Sequence, residues 1–229
     1  MTGQYLHTHG IQGNRVVQYP VRNSDTLPAL FRRSGYRTAQ LGKAHVPRNW
    51  LEEGYEHIRL VDLADAWPND PRTCHYFKWL EENGVAGCYE DGTGRPGCIG
   101  GLTGIAPADL PYKFSNEAYT GNETLAYLEG ARNDERPFFV KMSFERPHAP
   151  MRPAREYFDL YDPEHIELPA SSVDYFERRF AGKPQWMVEK LRNGCDYPMA
   201  DPDPKALKKV LAAYYALITC IDMEIGRAI

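Results

Sequence analysis

The sequence predicts an α/β fold, and three observations carry that expectation. Twice a helical stretch closed by a turn runs into a strand-like one: Leu27–Arg33 into Tyr36–Leu41, and Asn116–Glu129 into the stretch beginning at Pro137. Each strand-like stretch then gives way to a charged, proline-bearing loop, the kind of strand end where open α/β sheets bind ligands. The third observation is Pro204–Ile229. There Leu207, Val210, Leu211, Tyr214, Leu217, Ile218, Ile221 and Ile225 recur at helical spacing, which predicts a core-facing helix.

Taken in order, Met1–Asn14 is polar and glycine-bearing and reads as a loop, and its His7-x-His9 pair is a weak metal signal without further ligands nearby. Asp25-Thr26 caps the helix Leu27–Arg33, with Pro28 in its first turn and Gly35 as its stop. Pro47–Pro71 reads as irregular, punctuated by Gly54-Tyr55 and Trp67-Pro68. Thr73–Asn83 reads as a compact helix with Cys74, Phe77 and Leu80 on one face, stopped by Gly84. Gly84–Leu110 carries eight glycines and few large apolar residues, the composition of a long surface loop of the kind that shapes substrate pockets. Pro137–Pro150 opens with aromatic and β-branched residues, as a buried strand does, and its later prolines with Pro153 forbid regular structure beyond. Ala154–Leu160 reads as a short helix, Asp162–Ala170 as extended, and Gln185–Arg192 as a further helix.

The 229 residues suffice for one substantial core, and 42% hydrophobic with 25% charged residues is ordinary for a globular chain. A net charge of −4 and a pI near 6.0 give no electrostatic reason to expect nucleic acid or an anionic membrane as partner. No apolar run is long enough for a membrane helix, and the first residues lack the form of a signal peptide, so localisation stays open. Cys74, Cys88, Cys98, Cys195 and Cys220 form no CxxC pair and no zinc spacing. They fit unbridged thiols or a bridge such as Cys88–Cys98.

Chemistry concentrates where the two predicted strands end. Gly42-Lys43-Ala44-His45 follows the first, and Pro147-His148-Ala149-Pro150 the second. A lysine beside a bound oxyanion neutralises its charge, and a histidine near neutral pKa accepts or donates a proton. Lys43, His45 and His148 are therefore the candidate site, against the plainer reading of a solvated lysine and a packed turn histidine. Asp62, Asp65, Asp70, Asp201 and Asp203 stand in surroundings that suit turns and caps. No EF-hand, nucleophile elbow, Walker loop or dinucleotide fingerprint is present. The residues alone thus lead to an anion site in an α/β protein, with no nucleophile visible.

The motifs also resemble a family. Met1–Gly10 looks like the segment after the Cys/Ser-x-Pro-x-Arg signature of the sulfatases. Gly35-Tyr36-Arg37-Thr38 with Gly42-Lys43-Ala44-His45 is similar to their Gly-Tyr-x-Thr…Gly-Lys-Trp-His motif, and Pro137-Phe138-Phe139 with Pro147-His148-Ala149-Pro150 to their Pro-Phe-Phe…Pro-His-x-Pro. Tyr214-Tyr215-Ala216…Ile221-Asp222…Ile225-Gly226 resembles the helix before their Ser-Asp-His-Gly strand. The resemblance implies an alkaline-phosphatase-like fold, a mixed but mostly parallel sheet flanked by helices. It implies hydrolysis of a small-molecule or glycan sulfate ester by a formylglycine nucleophile, with calcium polarising the sulfate. Lys43 would then bind sulfate and nucleophile, His45 would be the base that breaks the sulfated intermediate, and His148 would bind the substrate and protonate or orient the leaving oxygen. Residues 1–229 would be the central part of one catalytic domain, without the nucleophile segment before them or the metal-ligand segment after them, so no metal ligand is assigned here. Such a chain would be inactive alone. Ala44 stands where the family has tryptophan, a change expected to alter the pocket wall. A phosphoesterase or phosphonate hydrolase of the same superfamily, or an inactive anion-binding remnant, fits the same residues.

Overall fold

The computed structural model describes residues 1–11, 26–46, 48–61, 74–88, 105–148, 150–172, 177, 181–193 and 203–229. The readings at Trp67-Pro68, Asp62, Asp65, Asp70, Asp201, Cys98 and Cys195, and most of the Gly84–Leu110 loop, lie outside the described residues. The chain divides into two compact units, one of residues 1–89, 116–145 and 224–229, the other of 90–115 and 146–223.

The first unit is built on a three-stranded parallel sheet in the order β2-β1-β3: β1 is Arg37–Gly42, β2 is His57–Leu60 and β3 is Phe138–Ser143. Alternation assigns the faces. Ala39, Leu41 and Val140 point one way, onto Tyr127 of helix α5 (Asn116–Ala131). Ile58, Leu60 and Phe139 point the other way, into a cluster with Ala44, Leu51 and Tyr55 beside helix α3 (Arg48–Gly54). Removing Leu41 or Leu60, both fully buried, would cost about 2–5 kcal/mol each in transfer and cavity terms.

Helix α2 (Leu27–Arg33) starts as expected: Thr26 Oγ1 accepts from the Ala29 N–H at 3.3 Å, Pro28 sits in the first turn, and Gly35 follows with φ +84°. Its Arg32 Nη1 donates to the carbonyls of Glu52 and Glu53 at 2.9 and 3.1 Å, which satisfies the open end of α3. In α4 (His75–Glu82), Cys74 is buried as the spacing predicts but stands just outside the helix as its N-cap, its Sγ accepting from Phe77 N–H at 3.3 Å.

Other expectations change in this unit. Met1–Asn14 is not all loop, since α1 forms at Leu6–His9. The stretch Pro47–Pro71, read as irregular, contains α3 and β2. Seven-residue and four-residue elements have little intrinsic stability; burial of Trp50, Leu51, Tyr55 and Leu60 holds them, a tertiary effect that periodicity cannot register. Cys88 is an exposed free thiol.

The second unit packs Ile105, Met151, Ala213 and Leu217 into one cluster with Phe158 and Val210. Ala108 bridges Ala154 in parallel fashion next to the short helix α6 (Arg155–Phe158). A 3-10 turn at Pro163–His165 interrupts the stretch expected to be extended, its start capped by Asp162. Helix α7 spans Gln185–Asn193, and α8 spans Pro204–Ala228, with its residues from Glu224 on counted in the first unit. Asp203 Oδ1 accepts from Lys205 N–H at 2.9 Å at the α8 start, the capping job its context suggests. The buried stripe of α8 differs from the expected one. Ala212, Ala213, Ala216, Leu217 and Cys220 are buried, whereas Tyr214, Ile218 and Ile225 are exposed. Small side chains permit close approach of neighbouring backbone, so the packed seam follows residue size as much as hydrophobicity. Among the described residues no helix is long and apolar enough to cross a membrane.

Candidate active site

The candidate site begins at the carboxyl end of β1. Gly42 adopts φ +94°, in the left-handed region that glycine enters without strain. That turn brings the Lys43 N–H to the Ser143 carbonyl at 2.7 Å, one step beyond the register pair Gly42↔Ser143. Gln40 Nε2 donates to the Lys43 carbonyl at 3.0 Å. The lysine backbone is therefore tied on both sides before its side chain begins.

Burial then alternates. Lys43 is partly exposed, Ala44 is buried at 2%, and His45 is exposed. Ala44 joins Leu51, Tyr55 and Leu60 in the core, so this position lines a packed interior and not the pocket wall. The Lys43 ammonium reaches Glu145, 3.1 Å from Oε1 and 3.0 Å from Oε2. Sequence reasoning missed Glu145. No local signal carries it: β1 and β3 end level at Gly42↔Ser143, and only that register brings the residues just past each end to one edge.

His148 belongs to the second unit. It is exposed, on the turn after β3, and its carbonyl accepts from Arg146 Nη1 at 3.3 Å. The same guanidinium also holds the Pro150 carbonyl, so the proline-rich turn is fastened by one arginine. The structure thus sets Lys43, His45 and Glu145 beyond the ends of two paired strands and His148 on the turn of the other unit.

The remaining described histidines have structural contacts. His9 Nδ1 accepts from Ile11 N–H at 3.1 Å, and its ring lies edge-on to Trp50. His75 Nδ1 accepts from Leu60 N–H at 3.2 Å, joining α4 to the end of β2. His57, on β2 beside Tyr127, is held below the usual histidine range by burial and then by the charges of Arg59, His75 and Arg37. His165 pairs with Asp162 at 3.1 Å on the surface. Among the described residues no group of three or more His, Cys, Asp or Glu side chains is placed to hold a metal ion. The calcium implied by the resemblance finds no ligand set among them.

Comparison with known proteins gives the family and the fold. A family profile described as Sulfatase matches residues 1–229. The chain is 30% identical to an arylsulfatase of Clostridium perfringens, covering 99% of this chain and 46% of that one. It is 28% identical to a choline-sulfatase of Rhizobium meliloti, covering 86% of this chain and 36% of that protein. The phosphonate monoester hydrolase of Silicibacter pomeroyi superposes with a TM-score of 0.66 at 20% identity, over 99% of this chain and 47% of its own. That likeness establishes the alkaline-phosphatase-like fold. The chain spans less than half the length of each of these relatives.

Proposed function

The chain belongs to the sulfatase family, and from that membership we propose that the protein it forms part of hydrolyses sulfate esters of small molecules or glycans. Lys43 carries the proposal: a lysine tied by its backbone to both flanking groups, with its ammonium held beyond the ends of β1 and β3. A fixed cation at that edge stabilises the negative charge that gathers on the ester oxygens during cleavage, and it needs no rearrangement to do so. His45, two residues on and exposed, takes up a proton as the ester breaks down. His148 binds the ester and returns a proton to the departing oxygen.

The proposal applies to a complete catalytic domain. Residues 1–229 supply the anion clamp and the proton-transfer groups, while the formylglycine nucleophile and the calcium ligands are assigned to other segments of that domain. None of the three roles above depends on a metal ligand in this chain.

The test is steady-state hydrolysis of an aryl sulfate by the complete protein and its Lys43→Ala variant. The expected result is turnover that falls about 10²–10³-fold in the variant, the usual loss on removing a charge-stabilising donor. A complete protein that releases no aryl alcohol, or a variant as fast as the parent, overturns the reading.

A further inference from the structure

A carboxylate sits on the cation that is meant to hold an anion. The Lys43 ammonium straddles both oxygens of Glu145, at 3.1 and 3.0 Å, and the two side chains are only 20% and 25% exposed. The arrangement is built into the backbone. β1 and β3 end level at Gly42↔Ser143, and the Lys43 N–H binds the Ser143 carbonyl, so one strand delivers the lysine and the other the glutamate to a single edge. An ion pair this near the surface contributes little to stability. Its larger consequence is electrostatic: beside Glu145 the lysine presents a site of near-zero net charge.

Resting on the reading of Lys43 as the anion clamp, we propose that Glu145 is a specificity-determining residue that tunes this edge to singly charged oxyanion esters and against doubly charged ones. An ester oxygen that hydrogen-bonds the Lys43 ammonium approaches to within a few ångströms of the Glu145 oxygens, because both contact the same nitrogen. Each negative charge on the ester meets the lysine's attraction and the glutamate's repulsion together. At the effective dielectric of a partly exposed site, one extra unit charge at such a distance is worth about tenfold or more in affinity, with salt screening reducing it. A sulfate monoester carries one negative charge. A phosphate monoester carries close to two above its second ionisation, near pKa of about 6. With Glu145 present, the second charge gains nothing from the lysine that the glutamate does not cancel. Without Glu145, the dianion gains most.

The test uses two ligands that cannot be hydrolysed, benzenesulfonate with one charge and phenylphosphonate with two at mildly alkaline pH. Their dissociation constants are measured by calorimetry on the complete protein and on Glu145→Gln and Glu145→Asp. The expected result is a shift of the affinity ratio toward phenylphosphonate by about tenfold in Glu145→Gln, shrinking at high salt, with Glu145→Asp staying near the parent ratio. Because both ligands are titrated into one preparation, a partly unfolded variant leaves the ratio intact. An unchanged ratio in Glu145→Gln, or equal weakening of both ligands, overturns the proposal and makes Glu145 a structural partner of Lys43. A parent protein that binds neither ligand overturns it too. Failure of aryl sulfate turnover with the ratio still shifting would remove the hydrolytic reading and leave this one standing.

Discussion

Gly42 leaves no room for a side chain against Ser143: a Cβ at Gly42 would stand 1.8 Å from the Ser143 carbonyl oxygen and 2.8 Å from its carbon. Both obstacles are backbone, so the strands themselves would have to part. The glycine's φ of +94° adds strain for any L side chain. Gly42→Ala is expected to destabilise the fold by about 2–4 kcal/mol and to weaken the Lys43 N–H bond to Ser143. A urea midpoint for the variant within about 0.5 kcal/mol of the parent, the range of neutral surface changes, would remove this account of the β1 end.

A second glycine meets a buried acid. A Cβ on Gly121 of α5 would stand 1.8 Å from Oε2 of Glu224, a carboxylate 1% exposed that pairs with Arg227 Nη1. Arg227 Nη2 also donates to Asn122 Oδ1 at 2.9 Å, so the acid is enclosed by a small polar network. Alanine ordinarily favours a helix over glycine by about 1 kcal/mol. Here Gly121→Ala is expected to destabilise instead, by about 1–3 kcal/mol, the range for overpacking a filled site. In a Glu224→Ala background the same change should become near neutral. A double-mutant cycle by denaturant unfolding reads the difference, and additive effects would show that the two side chains do not share this space.

These two glycines also mark what the sequence could and could not disclose. Helices α2, α5 and α8 and strands β1 and β3 were legible because capping residues, glycine stops and hydrophobic spacing act locally. Lys43, His45 and His148 were legible as loop residues after strands, and as matches to family motifs. Glu145 was not, because its role arises from the register between β1 and β3, which no local signal encodes. The same holds for α3 and β2, which persist through burial of Leu51, Tyr55 and Leu60. The packed side of α8 was misjudged for a related reason: Ala213 and Ala216 are buried by their smallness, whereas Tyr214 and Ile218 look more apolar and remain exposed.

Lys141 stands in β3 opposite Gln40, partly buried, with no carboxylate partner among the described residues. Burial lowers its pKa from the ordinary 10.5, because the apolar surroundings penalise the ammonium. The sign follows directly. Between the depressed value and 10.5 the unfolded chain binds more protons than the folded one, so stability rises with pH in that window; below it the penalty is present in full. Lys141→Met is therefore expected to stabilise the fold at neutral pH, by about 0.5 kcal/mol once the side chain's solvent contact is discounted. It should also remove the alkaline rise. Chemical denaturation of parent and variant at neutral and alkaline pH measures both, and a less stable Lys141→Met at neutral pH would contradict the assignment.

The last expectation concerns acid. His57 is held below the usual 6.5, first by burial and then by the positive charges of Arg59, His75 and Arg37, while Tyr127 covers its ring at 5.3 Å. Above 6.5 the imidazole is neutral in folded and unfolded chains alike, and it adds no pH dependence. As pH falls below that value the unfolded chain takes up a proton that the folded chain refuses until its own lower pKa. Stability must therefore decline across that window, and the loss is complete once pH lies below the folded value. His57→Gln keeps a polar side chain of comparable reach but cannot titrate, so its unfolding free energy should fall less steeply between about pH 7 and pH 5. The comparison is of slopes, not of absolute stabilities, which removes any constant effect of the substitution on packing. Identical slopes in parent and variant would mean that the folded protein accommodates the imidazolium beside Arg59 and Arg37 without penalty, contrary to the burial and charge arrangement around it.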